Sequence, residues 1–330
     1  MVKPMRFSRS MLVAVLSLLA ATLFWAGNYV VGKIAIAEFS PLSLVYLRWL
    51  LALVPLFLVA QVVEHPSWRQ TLRAWPWLLA LSVFGLAGYN FLLYAALQFT
   101  DAFNASLINA FNPALIVLAS VLFLRERLSW AGLAGLLLAL LGVLVILSKG
   151  SLLTLLDAQH NSGDLLMLGA IVSWTAYTIV GRRAPRLPPI TSTALQGLVL
   201  VVGLTPIVAV QGIDLPQSAS SSWSLAFIAV FPSLLSYVLW NRALQTIEPA
   251  KAGVFLNLIT VFTAILTILM GQPVTIAQVI GGTIVIAGVA LANKQVFTRR
   301  PPTPPLHASA IADAPRPSPK HQRTRRIHAK

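Results

Sequence analysis

Residues 11–31 read MLVAVLSLLAATLFWAGNYVV, a long stretch without a charged side chain. A helix needs about 20 predominantly apolar residues to cross the hydrocarbon core of a bilayer, so this stretch predicts a membrane-spanning helix. Because it exceeds signal-peptide length and further spans follow, we expect it to be retained. With charge, Pro or Gly as boundaries, the same criterion predicts ten spans in all. They are Met11–Val31, Leu42–Val63, Trp77–Leu97, Ala102–Leu124, Trp130–Leu147, Leu165–Val180, Thr191–Val210, Ser224–Trp240, Gly253–Met270 and Thr275–Ala292.

The composition supports an integral membrane protein. Hydrophobic residues make up 57% of the 330 residues and charged residues 10%, with a mean hydropathy of +0.80. An ordinary soluble domain is about half apolar and a quarter charged, so most water-soluble enzymes and any disordered scaffold are excluded. The chain has no cysteine, which excludes disulfides, thiolate metal sites and a cysteine nucleophile.

The chain is strongly basic, with 24 Lys and Arg against 9 Asp and Glu and a formal net charge of +15. Ten spans put both termini on one side of the membrane. If that side is the cytoplasm, nearly all Lys and Arg fall in cytoplasmic segments, as the positive-inside rule requires. We therefore expect a multi-pass protein of the cell (plasma or inner) membrane with both termini cytoplasmic. The basic excess then reflects topology and contact with the lipid bilayer, and we expect no nucleic-acid partner.

The two halves of the chain resemble each other, which predicts an internal repeat. The matching pieces are Trp25…Gly32-Lys33 with Trp174…Gly181-Arg182, Ala96-Leu97-Gln98 with Ala243-Leu244-Gln245, and Gly135…Gly142-Val143 with Gly281…Gly288-Val289. Each half has five predicted spans, and an odd number inverts the second copy relative to the first. Inverted repeats are typical of transporters, although the similarity could also be a relic of duplication without a transport role.

The expected organisation has five parts. They are a cytoplasmic N-terminus at 1–10, a first five-helix repeat at 11–148, an extracytoplasmic connector at 149–164, a second five-helix repeat at 165–293 and a cytoplasmic tail at 294–330. The tail is rich in Pro, Lys and Arg and poor in apolar residues, so we expect it to be disordered.

Several short motifs resemble the EamA family of the drug/metabolite transporter superfamily. They are Trp25-Ala26-Gly27-Asn28, Ser40-Pro41 with Arg48, Tyr94-Ala95-Ala96-Leu97, Asn112-Pro113 and Glu126-Arg127-Leu128-Ser129. The resemblance covers roughly residues 11–293 and rests on the order and spacing of the motifs. It implies a ten-helix, all-α permease that moves small metabolites, amino acids or related compounds, often outward. It does not fix the substrate.

The predicted spans contain amides, hydroxyls and aromatic rings at helical spacing. Polar groups are costly in lipid, so these side chains should face the bundle interior or a cavity. Such a set beside aromatic walls suits an amphipathic metabolite, while interhelical hydrogen bonding and packing is the alternative for each residue. The candidates for lining a substrate cavity are Trp25, Asn28, Asn90, Tyr94, Asn109, Asn112, Trp174, Tyr177, Ser236, Tyr237, Trp240 and Asn257.

Two further residues have a possible role in transport. Pro113 removes a backbone hydrogen bond within the fourth span, which predicts either a gate or a static kink. Arg48 lies about a third of the way into the second span, where it could contact an anionic substrate group. Alternatively, it could extend to the interface or hold loop ends together.

The spans contain no Asp, Glu or His. Proton-coupled carriers place such groups in the membrane, and membrane enzymes need acid/base pairs or metal ligands, so we expect neither an enzyme nor a cofactor or metal site. We expect a permease, and more specifically an exporter, of a small-molecule substrate, working by facilitated diffusion or exchange. The alternatives are a non-transporting membrane sensor or assembly protein and a proton-coupled drug exporter. The oligomeric state stays open.

Overall fold

The computed structural model describes residues 9–125, 130–148, 162–247 and 252–292, and all regular elements in these ranges are helical. Eight helices are long and apolar enough to cross a membrane, and two shorter apolar helices follow. The eight are α1 Arg9–Ala35, α2 Pro41–Val63, α3 Trp75–Phe99, α4 Ala102–Leu124, α5 Trp130–Leu147, α6 Ser162–Arg183, α7 Pro189–Gln211 and α8 Ala219–Leu244. The shorter two are α9 Phe255–Leu269 and α10 Ile276–Leu291. A five-residue helix, Trp68–Leu72, connects α2 to α3.

The expected all-helical membrane fold is confirmed in the described residues. The finer prediction of ten spans is not, because α9 and α10 are shorter than a typical span. The tail at 294–330, most of the N-terminal segment and the connector, and the motif Glu126–Ser129 lie outside the described residues.

Local sequence explains where several helices begin. Ser40 precedes α2, its hydroxyl accepts a hydrogen bond from the backbone N–H of Ser43 at 3.2 Å, and Pro41 occupies the first turn. Asp101 caps α4 in the same manner, accepting from the N–H of Asn104 at 2.7 Å. These caps satisfy backbone donors that have no partner within the helix.

The helix packing has the symmetry of two five-helix repeats. Helix α1 packs against α8 and α9, while α6 packs against α3 and α4. Helix α2 packs against α7, and α5 against α10. This pattern is unchanged when each helix is exchanged for the one five places away, as the internal sequence repeat predicts.

Glycines allow α5 and α10 to pack closely. A Cβ atom on Gly142 would lie 2.7 Å from the carbonyl oxygen of Gly281. A Cβ on Gly281 would lie 2.8 Å from the carbonyl oxygen of Gly142. Because backbone atoms cannot yield to such a contact, only glycine permits this backbone separation.

The helices that surround the bundle centre are irregular at matching places. Helix α3 contains a π-helical segment, Ser82–Gly88, and α8 contains one at Phe231–Leu235. Helix α4 is interrupted at residues 110–111, and the 3₁₀ segment Gly253–Asn257 overlaps the start of α9. Such wide turns and interruptions leave backbone groups without their usual helical partners and change the direction of side chains. They are frequent at functional sites.

The outward faces of the helices carry many exposed large apolar side chains. Examples are Val54 on α2, Leu122 on α4 and Ile268 on α9. Such a surface is unfavourable in water and matches the hydrocarbon region of a bilayer. Polar side chains in the same helices are mostly turned inward, where they surround the cavity described next.

Candidate substrate cavity

A partly open cavity of about 160 Å³ lies between helices of both repeats. Its lining is mainly apolar and aromatic with a few polar groups, as in small-molecule sites. The lining residues are Trp25, Asn28, Tyr29, Arg48, Tyr89, Asn90, Asn109, Ala110, Asn112, Pro113, Ile116, Trp174, Pro232, Tyr237, Trp240, Leu256, Asn257 and Ile259.

One aromatic wall comes from α1 and α8. The ring of Trp25 lies 5.7 Å from that of Tyr237 and 5.4 Å from that of Trp240, measured between centroids. The indole N–H of Trp25 donates to the carbonyl of Pro232 at 3.2 Å. The π-helical segment of α8 presents this carbonyl, so the irregular turn holds the ring against the cavity.

A second aromatic wall comes from α3 and α6. The rings of Tyr89 and Trp174 lie 5.1 Å apart, and Trp174 is 4.8 Å from Tyr177 behind it. The Tyr89 hydroxyl also lies 2.8 Å from that of Tyr29, and it donates to Asn109 at 3.3 Å. The phenol and amide groups on this side are therefore fixed by one another as well as by their helices.

Arg48 is buried beside the cavity, with 3% of its surface exposed. Its Nε donates to the hydroxyl of Ser233 at 2.9 Å. Its Nη1 donates to Asn90 Oδ1 at 2.7 Å, to Asn28 Oδ1 at 3.3 Å and to the Tyr94 hydroxyl. Arg48 thus joins four helices in the bundle interior.

Most of the sequence-predicted candidates lie around this one cavity. They are Trp25, Asn28, Asn90, Asn109, Asn112, Trp174, Tyr237, Trp240 and Asn257, together with Arg48 and Pro113. Pro113 lies in the first turn after the interruption of α4. Their part in substrate binding, and that of Pro113 as a gate, stay predictions.

Three candidates lie behind the cavity wall. Tyr94 is fully buried and donates to Asn28 at 2.8 Å, so it supports the wall from outside. Tyr177 packs against the backbone at Gly85, where any Cβ would collide with its ring. Ser236 is also fully buried, and its hydroxyl donates to the carbonyl of Ala21 at 3.1 Å in the contact between α1 and α8. Helical spacing alone does not separate such packing positions from lining positions.

The candidates omitted two tyrosines, Tyr29 and Tyr89, and several apolar lining residues. Both tyrosines directly neighbour a predicted lining residue, Asn28 or Asn90. Adjacent residues of an ideal helix point about 100° apart, so the helical spacing used to choose Asn28 and Asn90 did not include their neighbours. The phenol hydroxyls in mid-span were the available signal, because a buried tyrosine hydroxyl needs a partner.

At one end of the bundle, carboxylates join the α1–α2 loop to the segment between α7 and α8. Asp214 Oδ2 accepts from the N–H of Ser40 at 2.8 Å, and Glu38 Oε1 accepts from the Ser218 hydroxyl at 2.6 Å. These hydrogen bonds favour the ionised acids, so hydrogen bonding from Ser40 lowers the pKa of Asp214, and hydrogen bonding from Ser218 lowers the pKa of Glu38. We call this set of contacts the loop clamp.

A related contact joins α2 and α7 at their other end. Glu64 follows the C-terminus of α2, and its carboxylate accepts from the N–H groups of Ile190 and Thr191, each at 2.8 Å. These donors belong to the first turn of α7, which has no side-chain cap of its own. At both ends of the α2–α7 pair, a carboxylate therefore accepts from backbone N–H groups at the start of the neighbouring helix.

Comparison with known proteins shows the family. The model of the EamA-like transporter family matches residues 12–148 and again residues 161–294. The chain belongs to the EamA-like transporter family. The two matches confirm both the resemblance predicted from the motifs and a repeated architecture.

Several known transporters and exporters align with most of the chain. An uncharacterized transporter, YyaM of Bacillus subtilis, is 28% identical over 84% of this chain and 92% of its own length. A probable terminal-alkyne amino-acid exporter of Streptantibioticus cattleyicolor is 25% identical over 87% of this chain and 95% of its own length. A solved crystal structure at 21% identity has a TM-score of 0.61 and covers 86% of this chain and 98% of that one, which shows a shared fold.

Proposed function

We propose that this EamA-family protein is a permease that carries small amphipathic metabolites, such as amino acids or related compounds, out of the cell. The observation that carries the proposal is the central cavity, because both repeats contribute to its aromatic walls and amide groups. Two pseudo-symmetric halves around a shared cavity can open it to either side in turn. The relative named as an amino-acid exporter supports both the substrate class and the direction.

We further propose that α9 and α10 cross the membrane with the other eight helices. They complete the second repeat, and they pack as their counterparts α4 and α5 do. Ten spans, with the second repeat inverted, place both termini on one side. The distribution of Lys and Arg favours the cytoplasm of a plasma or inner membrane.

The transport mode that we favour is facilitated diffusion or exchange, with no chemical step and no cofactor. The predicted spans contain no Asp, Glu or His, the groups that usually carry protons through a membrane. The competing functions are a proton-coupled drug exporter and a membrane sensor or assembly protein without transport. They differ from our proposal in measurable flux.

Counterflow into liposomes tests the proposal. The purified full-length protein is reconstituted into liposomes. The liposomes are loaded with a mixed pool of unlabelled metabolites and then exposed to labelled members of the pool. We expect accelerated uptake of amphipathic compounds relative to protein-free liposomes, with little change when a pH gradient is imposed. Absence of accelerated uptake for every compound would contradict transport, and dependence on the pH gradient would favour the proton-coupled alternative.

A further inference from the structure

A buried cation lies in the wall of the cavity. Among the described residues that line it, Arg48 is the one charged side chain, and the others are amides, phenols, indoles and apolar groups. Burial of a cation is costly unless an anion or a full set of hydrogen bonds compensates for the lost water. The surroundings of Arg48 show how much of this compensation the protein supplies.

The protein holds the guanidinium of Arg48 in place without neutralising it. In the part of the chain that the structure describes, all of its hydrogen bonds go to neutral oxygens, from Nε and Nη1, and Nη2 makes none. The rings of Trp49 and Tyr94 lie beside it, each centroid 5.6 Å from Cζ. The guanidinium is therefore held by several hydrogen bonds to neutral groups, and Nη2 of this cavity-lining residue has no hydrogen bond to the described part of the chain.

We propose that Arg48 binds a carboxylate of the transported compound, so that the substrates are small organic acids or amino acids with an apolar part. This inference rests on the proposed transport function. The unused Nη2 donors suit a carboxylate oxygen, and a charge-assisted hydrogen bond in a site of low polarity is strong. The apolar part of the same compound would lie between Trp25 on one wall and Trp174 on the other.

With Arg48 as the binding group, the cavity should select ligands by their negative charge. Compounds of the same shape without a negative charge leave Arg48 uncompensated, and cations are repelled by it. N-acetyl-L-phenylalanine and its carboxamide, N-acetyl-L-phenylalaninamide, form a suitable pair, because they differ only in this group. The acid should bind at least about tenfold more tightly, since hydrogen bonds to charged groups contribute more than neutral ones.

Fluorescence titration of the full-length protein in detergent measures both affinities. Three tryptophans, Trp25, Trp174 and Trp240, line the cavity and report on its occupation. We expect saturable quenching by the acid at concentrations where the carboxamide has little effect. Equal affinity for the two compounds, or no binding of the acid, would overturn the proposal.

Two matched variants assign the preference to Arg48. Arg48→Gln removes the charge but keeps a donor amide, so it should bind acid and carboxamide about equally. Arg69→Gln removes a charge from the exposed helix between α2 and α3 and should keep the wild-type preference. If Arg48→Gln still binds the acid more tightly than the carboxamide, the proposal is overturned. If this variant does not fold, the affinities of the wild-type protein for the acid and the carboxamide still test whether the cavity selects an anion.

Flux measurements separate this inference from the proposed function. If the acid binds selectively but no compound is transported, the anion site stands and the transport proposal fails. If the liposomes transport only uncharged or cationic compounds, and do so equally with Arg48→Gln, the protein is a transporter and the anion site is wrong.

Discussion

At the scale of single residues, Trp174 is the most informative position in the cavity. Its ring contacts Tyr89, which also lines the cavity, and Tyr177, which lies behind the cavity wall. Trp174→Ala therefore removes the centre of one aromatic wall. Aromatic pairs contribute about 0.5–1.5 kcal/mol beyond their burial, which corresponds to roughly a tenfold loss of ligand affinity at the upper end. We expect counterflow at low substrate concentration to fall by about this factor.

The control for this substitution is Trp130→Ala. Trp130 is 87% exposed at the start of α5, away from the cavity, and its removal should leave the flux unchanged. Both variants should elute as monodisperse species and keep the wild-type thermal midpoint to within a few degrees. If Trp174→Ala transports as well as Trp130→Ala does, this wall does not contact the substrate.

The sequence predicted the chemistry of the cavity better than its boundary. Asn28 and Trp174 were identified because a mid-span amide or indole requires an inward environment, and both line the cavity. Tyr94 satisfied the same rule, but it lies behind the cavity wall, where its hydroxyl donates to Asn28 and accepts from Arg48. Inward orientation follows from one helix, whereas the choice between packing and lining depends on the neighbouring helices and their separation.

At the scale of helices, the α5–α10 contact depends on glycine. In Gly142→Ala the new Cβ would lie 2.6 Å from the backbone nitrogen of Val285 and 2.7 Å from the carbonyl oxygen of Gly281. Overpacking of this kind costs about 1–3 kcal/mol, and here the helices must also separate. We expect a lower thermal midpoint, measured by intrinsic fluorescence in detergent.

Gly203→Ala provides the matched control within α7. A Cβ at this position meets nothing within 4 Å, so the substitution adds only helix propensity. It should be neutral or stabilising by roughly 0.5–1 kcal/mol. Gly142→Ala should therefore lower the midpoint and Gly203→Ala should not, and an unchanged midpoint in Gly142→Ala would show that close packing of α5 on α10 does not depend on this glycine.

The regular parts of the helices could be predicted from hydropathy, but their irregular parts could not. The π-helical segment of α8 contains Pro232 near its start, and a proline, which lacks a backbone N–H, explains an irregular turn there once the structure is known. The corresponding segment of α3 contains Gly85 and Gly88 and no proline. Their positions depend on outside partners, such as the Ser173 hydroxyl that donates to the Phe84 carbonyl at 2.8 Å. Such tertiary contacts leave no periodic pattern in the sequence.

At the scale of the whole molecule, the loop clamp connects the two repeats through ionised acids. Because the pKa of Asp214 is lower in the folded protein than in the unfolded chain, its stabilising contribution is fully present above the unfolded pKa of about 4. That contribution is lost as the pH falls through the folded pKa. We expect the thermal midpoint of wild type to decrease below pH 4, and Asp214→Asn to show a smaller decrease from a lower starting value. Parallel pH profiles would show that Asp214 does not stabilise the fold through its charge.

The loop clamp also allows a direct test of alternating access. Glu38 belongs to the first repeat and Ser218 to the second, and their side chains are in contact at 2.6 Å. Because the chain has no cysteine, Glu38→Cys with Ser218→Cys creates a unique pair for a short bis-maleimide. If this end must open during each cycle, linking the pair should reduce counterflow to the level of protein-free liposomes, while either single variant treated with the reagent stays active.

A second cysteine pair separates restraint of the clamp from chemical modification itself. Ser67 and Gln70 are in contact at 2.7 Å in the exposed connection between α2 and α3, so linking Ser67→Cys to Gln70→Cys restrains no motion between the repeats. That variant should transport at its unlinked rate. If linking across the clamp also leaves the rate unchanged, this end of the bundle stays closed throughout transport. The substrate must then reach and leave the cavity by a path that keeps Glu38 and Ser218 together. A rocking motion that opens the cavity at both ends would separate these two residues, so that result would contradict it.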